Sequence, residues 1–190
     1  DIKEICDLVS PEIGIVTSVG EMHLETFGSV ESVARTKFEL IDALPEGGFG
    51  IVNIDSEAAA RYIADNAIKV HSYAVEAAEA DYRAVDIQYG SADTRFGVAK
   101  PDGLDEGYAT HILGRGNILN ITAALAIAEH LGVSVDAGRR AVRQIEQVEH
   151  RLRMRSSGGI TILDDAYNSN PTGARMALEV LHDFATEGKK

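Results

Sequence analysis

The segment Gly20-Glu21-Met22-His23-Leu24-Glu25 follows directly on an apolar run, Ile13 to Val19, and Lys37, fourteen residues after His23, falls on the apolar stripe of a predicted helix. An imidazole at the end of a buried strand can hydrogen-bond or bind a metal. A lysine among hydrophobes can snorkel its ammonium to water or pair with a carboxylate from another element. It can also react. Desolvation lowers the amine pKa, and a neutral amine can add carbon dioxide to become a carbamate, an anionic oxygen ligand suited to magnesium. Although His23-Leu24-Glu25 has the look of a zinc deaminase triplet, those sites need a pair of cysteines, and the chain has Cys6 alone.

Three other places carry usable groups. Gly114-Arg115-Gly116-Asn117-Ile118-Leu119-Asn120 is a weak match to a dinucleotide fingerprint, with Asn120 near the place of the third glycine. Asn117 reads as a helix N-cap, and Asn120, one turn on, gives a second amide whose donors and acceptors can read the edge of a purine. Asp164 and Asp165 end the apolar stretch Ile160–Leu163, as solvated turn carboxylates or as ligands at a strand's carboxyl edge. Arg151 is one of several arginines before a Ser/Gly turn and, taken alone, a surface charge.

The elements that must position these groups follow from pattern. Ile13–Val19 is short, β-branched and bounded by Pro11 and Gly20, so it reads as a strand buried on both faces of a parallel sheet, with His23 beyond its carboxyl end, where ligands collect in such sheets. Ser29 is an N-cap, with Glu31 in the first turn, for a helix to about Leu44 that Pro45 stops. A strand Ile51–Asp55, a helix Ser56–Asn66 and a strand Val70–Val75 continue the α/β alternation. Three segments, Tyr82–Tyr89, Thr94–Ala99 and Tyr108–Leu113, are separated by turn residues and predict an antiparallel meander. Helices at Asn117–Leu131 and Asp136–Gln147 precede the arginine cluster, and Asn170-Pro171 opens a last helix to about Phe184. The expected fold is α/β: a mostly parallel sheet flanked by helices, with a small antiparallel meander. A boundary is expected near Arg155, dividing residues 1–155 from 156–190, the latter the first strand and helix of a second α/β domain.

Composition narrows the function classes. The 190 residues are 45% hydrophobic, enough for a proper core. A net charge of −12 argues against nucleic acid or an anionic membrane surface as the main partner. The solitary cysteine excludes an internal disulfide, no apolar run is long enough for a bilayer, and a cytoplasmic protein is the simplest expectation. Both ends of the chain read as cuts through a longer protein.

In their order and separation the Gly20–Ser29 segment, Lys37, the Gly114–Asn120 segment and Asp164-Asp165-Ala166-Tyr167-Asn168-Ser169-Asn170-Pro171 resemble the Mur ligases of peptidoglycan synthesis. The resemblance covers nearly the whole chain. It implies most of the C-terminal part of a central ATP-binding domain, plus the opening strand and helix of a Rossmann-like C-terminal domain. The implied activity is an ATP-dependent amide ligation, in which D-alanyl-D-alanine is added to UDP-N-acetylmuramoyl-tripeptide through an acyl phosphate by a monomeric enzyme. It further implies that Asn117 and Asn120 lie against adenine, that Asp165 binds the ribose hydroxyls, and that Tyr167 and Asn168 approach the nucleotide. By the same resemblance Arg151 contacts phosphates, and magnesium is held by His23 and the Lys37 carbamate. Gly116 stands where a histidine or aromatic often sits in the family. No Gly-x-x-x-x-Gly-Lys-Ser/Thr occurs, so the loop that cradles triphosphate is expected before Asp1. Folylpolyglutamate or cyanophycin synthetases, and a non-catalytic module that kept the fold, are the alternatives.

Overall fold

A computed structural model describes residues 2–20, 28–90, 93–167 and 171–183. Six strands form one sheet in sequence order: β1 Ile13–Val16, β2 Phe49–Asn53, β3 His71–Ala74, β4 Tyr82–Tyr89, β5 Thr94–Lys100 and β6 Gly103–Thr110. The pairs from β1 to β4 are parallel, with Val16 opposite Val52 and Asn53 opposite Tyr73, and the pairs from β4 to β6 are antiparallel. The parallel part with its antiparallel meander agrees with the expected fold class.

Helices cover the parallel strands on both faces. On one face α2, Val30–Asp42, and α3, Glu57–Asn66, pack Val33, Ala34, Phe38, Ile41 and Ala59 against Val16 and Val52. On the other, α4, Arg115–His130, sets Ala123 and Ala126 on Phe49, Ile51 and Tyr73. The chain begins with α1, Ile2–Val9, against α2. A fifth helix, α5, Val135–Arg143, joins α4 in covering one face of the meander through Ile118, Ile121 and Val142. Every residue of β2 is buried, as a strand between two helical layers requires. Gly14 lets α2 come close, since a Cβ there would stand 3.1 Å from Leu40 Cγ.

Ser29 caps α2 as expected, its Oγ accepting from the Ser32 N–H at 3.2 Å. Several boundaries move. β1 stops at Val16 instead of Val19, and β2 starts two residues before Ile51. β6 begins at Gly103, directly after the Pro101-Asp102 turn, whereas its position was expected at Tyr108–Leu113. Its acidic residues Asp105 and Glu106 hide it, because it is an edge strand whose pairing depends on backbone groups. One of its carbonyls is taken by a side chain: Arg139 Nε donates to the Glu106 carbonyl at 2.7 Å. α4 starts at Arg115 with Gly114 as its cap residue, so Asn117 is inside the first turn and is not the N-cap.

The last elements differ most. Ile160–Asp164, β8, pairs antiparallel with β7, Arg153–Ser157, a strand not expected, and α6 spans Pro171–Asp183. The expected division between residues 155 and 156 falls inside β7. The hairpin and α6 close on the start of α4 through Leu113, Leu152, Met154, Leu163 and Val180.

Candidate functional site

The carboxyl ends of β1, β2 and β3 carry a dense set of polar bonds. Asn53 ends β2, and its Nδ2 donates to the Thr17 carbonyl at 2.8 Å. Its Oδ1 accepts from the Asp55 N–H at 2.9 Å. The Asp55 carboxylate in turn accepts from the N–H groups of Val75, Glu76 and Ala77, which fixes the turn after β3. Glu76 pairs with Arg115 at the start of α4. The Tyr73 hydroxyl is buried without a hydrogen-bond partner, and burial together with the Asp55 charge pushes its pKa above the ordinary phenol range.

Lys37 lies half-buried on α2, and its Nζ donates to the Ser18 carbonyl at 2.6 Å. Burial lowers its pKa, which enlarges the fraction of neutral, nucleophilic amine at any pH below the usual lysine value. The bond to Ser18 places the Lys37 amine just beyond the carboxyl end of β1. His23, its expected partner, lies outside the described residues, as does Asn168. Among the described residues no group of three or more His, Cys, Asp or Glu is placed to hold a metal ion.

A second group forms where the hairpin meets α4. Asn117 Nδ2 donates to the Leu113 carbonyl at 2.7 Å, and Asn120, one turn on, is exposed. Gly114 has φ +92°, and a Cβ on it would stand 2.7 Å from Leu152 Cδ1; one on Gly116 would stand 2.8 Å from Met176 Cε. The space that a larger residue at position 116 would fill is taken by α6. On the hairpin side, the Arg151 guanidinium sits 4.4 Å from the centroid of the Tyr167 ring, and Asp165 Oδ1 accepts from the Leu152 N–H at 3.2 Å. Asp164 bonds His150 Nδ1 at 2.9 Å.

The structure thus brings Arg151, Asp165 and Tyr167 together, and Leu113 and Leu152 link them to the helix start that carries Asn117 and Asn120. Among the described residues no hydrogen bond or ion pair joins Lys37 to that group. Sequence reasoning missed Asn53, Asp55 and Ser56. The available signal was an asparagine and an aspartate closing an otherwise apolar strand.

The Mur ligase middle domain pattern matches residues 1–128. The UDP-N-acetylmuramoyl-tripeptide--D-alanyl-D-alanine ligase of Escherichia coli K12 is 32% identical over 97% of this chain and 41% of its own length. A crystal structure of MurF from Acinetobacter baumannii superposes with TM-score 0.82 at 27% identity, covering 96% of this chain and 40% of that one. The MurF ligase of Thermotoga maritima, solved in complex with ADP, gives TM-score 0.81 at 26% identity over 97% of this chain and 42% of that one. The chain spans about 40% of the length of such relatives. No described helix is long and apolar enough to cross a membrane. With two thirds of its residues inside the matched pattern, the chain belongs to the Mur ligase middle-domain family.

Proposed function

We propose that this chain is the ATP-handling part of a cytoplasmic, monomeric amide ligase of peptidoglycan precursor synthesis, which joins D-alanyl-D-alanine to UDP-N-acetylmuramoyl-tripeptide through an acyl phosphate. The observation that carries the reading is the junction of the β7–β8 hairpin with the start of α4, which carries five of the groups expected around a nucleotide. Asn117 meets adenine with its Oδ1, since its Nδ2 is held by Leu113, and Asn120 offers both ends of a free-standing amide. Asp165 keeps an oxygen for the ribose hydroxyls while the other is bonded to Leu152. The face of the Arg151 guanidinium rests on Tyr167, which leaves its in-plane N–H groups to fork onto a phosphate. Tyr167 approaches the nucleotide from the hairpin side, Asn168 takes part in binding it, and the hairpin with α6 opens the next domain of the enzyme.

Lys37 fits the metal-ligand role through its chemistry: a half-buried amine with a lowered pKa can carry a carbamate. As a carbamate it would hold magnesium with His23, and the ion when bound supplies positive charge at the ATP phosphates. Lys37 acts as a ligand and not as a base. The protein's remaining task is to orient: Arg151 stabilises charge on the transferred phosphoryl group, and the asparagines fix the base.

The test is phosphate release from ATP by the complete enzyme. Release is expected with UDP-N-acetylmuramoyl-tripeptide and D-alanyl-D-alanine together, with near-zero turnover when the dipeptide is left out. Turnover with glutamate and a folate in place of those substrates, or none with either pair, overturns the assignment.

A further inference from the structure

β1 ends at Val16, yet the next three residues are held as firmly as a strand. Asn53 Nδ2 donates to the Thr17 carbonyl at 2.8 Å, and Lys37 Nζ donates to the Ser18 carbonyl at 2.6 Å. Ser56 Oγ donates to the Val19 carbonyl at 2.9 Å and accepts from the Val19 N–H at 3.0 Å. Four bonds from three side chains, on the end of β2, the middle of α2 and the residue before α3, continue the ladder where backbone pairing has stopped.

Two details set this apart from routine satisfaction of loop carbonyls. Ser56 occupies the N-cap position of α3 but makes no capping bond, although capping is the usual role of a serine there. Its hydroxyl is spent on Val19 instead. Asn53 is 7% exposed and uses both ends of its amide, donating to Thr17 and accepting from Asp55. A carboxylate of the same shape could do the second but not the first.

We propose that Asn53 and Ser56 are positioning residues, which clamp the peptide groups on either side of Ser18 so that its carbonyl sets the direction in which the Lys37 amine faces. The inference rests on the part given to Lys37 above. A lysine side chain has four rotatable bonds, and a single fixed acceptor removes much of that freedom at the nitrogen. The clamp serves both forms of the group. When the neutral amine attacks carbon dioxide, its lone pair forms the N–C bond, a C–O π pair moves onto oxygen and one proton leaves to solvent. One N–H remains. Ser18 can accept that N–H, which turns the carbamate oxygens away from β1.

Substitutions can separate the clamp from helix stability. Ser56→Asp keeps an acceptor able to cap α3 but cannot donate to Val19, whereas Ser56→Thr keeps the hydroxyl. Asn53→Asp keeps the bond from Asp55 and loses the donor to Thr17. In the ¹⁵N-lysine-labelled chain, exchange of the Lys37 Nζ protons with water is expected to be roughly tenfold faster in Ser56→Asp and Asn53→Asp, the scale set by one hydrogen bond to a charged group, and unchanged in Ser56→Thr. In the complete ligase kcat falls by a similar factor in the two aspartate variants, with the KM for ATP unchanged, and recovers in Ser56→Thr. Unchanged exchange in a folded Ser56→Asp overturns the clamp. Faster exchange with unchanged kcat supports the clamp and overturns the part given to Lys37 in the reaction. Should Asn53→Asp fail to fold, the two Ser56 variants carry the test alone.

Discussion

Gly114 and Gly116 are two residues apart at the start of α4, each with a side chain from the hairpin or α6 against it, and alanine at the two positions should have opposite effects. At Gly114 the backbone has φ +92° and ψ 142°, a region that is almost exclusively glycine's and costs other residues about 1–3 kcal/mol. The added methyl would also stand 2.7 Å from Leu152 Cδ1 and 3.3 Å from Val180 Cγ2, but the nearer atom ends a flexible side chain, so the clash adds about 1 kcal/mol. The sum for Gly114→Ala is about 2–4 kcal/mol of destabilisation. Gly116 lies within α4, where alanine is favoured over glycine by about 0.5–1 kcal/mol, and its one close contact, Met176 Cε at 2.8 Å, can swing aside. Gly116→Ala should therefore be neutral or slightly stabilising. Thermal unfolding followed by circular dichroism reads both, at about 2–4 °C per kcal/mol for a chain of this size. Gly114→Ala should lower Tm by roughly 5–15 °C, and Gly116→Ala should leave it within about 2 °C. Equal Tm values for the two variants would refute the reasoning, because a backbone that can move to accept a methyl group at position 114 is not held where the structure puts it.

Lys37→Ala in the complete ligase should nearly abolish turnover, and short carboxylic acids should partly restore it by supplying an anionic oxygen in the vacated space; normal turnover without additive would mean a packed lysine only. Asn120→Ala should raise the KM for ATP by up to about tenfold while Tm stays within a few degrees, because the side chain is exposed; Asn117→Ala should also cost about 1 kcal/mol of stability, since its amide holds the Leu113 carbonyl. An NMR titration of the lysine side chains should place Lys37 below the usual 10.5 and Lys100 above it, Lys37 through burial and Lys100 through its bonds to Glu129 and Asp105. The stability terms then have opposite signs: the penalty from Lys37 is present at neutral pH and fades as pH rises towards 10.5, whereas the gain from Lys100 is complete below 10.5 and is lost above its raised pKa. Reversed order of the two midpoints would contradict both environments.

Elements whose side chains do the packing are legible in the sequence. Tyr82–Tyr89 reads with its observed limits, and the Ser29 cap and Pro45 stop bracket α2 as the pattern places them. Where pairing depends on the backbone, pattern is no guide: β6 carries two consecutive acids, and β7, Arg-Met-Arg-Ser-Ser, buries little beyond Met154. The site divides in the same way. Lys37 is conspicuous as a charge on an apolar stripe, and Asn117 and Asn120 as amides one turn apart. Asn53 and Ser56 are not, because they bond main-chain atoms 36 and 37 residues away, and a backbone acceptor leaves no mark in the residue type. Asn117 reads wrongly as a cap because Gly114, which has no side chain to signal the role, takes that position.

The side chains laid along β6 bear on how copies of this protein behave in concentrated solution. An edge strand with free carbonyls is a template on which a strand of a neighbouring molecule can grow, and Leu104, half exposed on this edge strand, would make such an encounter adhesive. Arg139 already fills the acceptor at Glu106, and just past the strand's end Gln147 Nε2 fills the one at His111 from 2.7 Å. A stranger's amide finds those positions taken and meets a guanidinium instead, which makes this flank of the sheet a poor seed for aggregation.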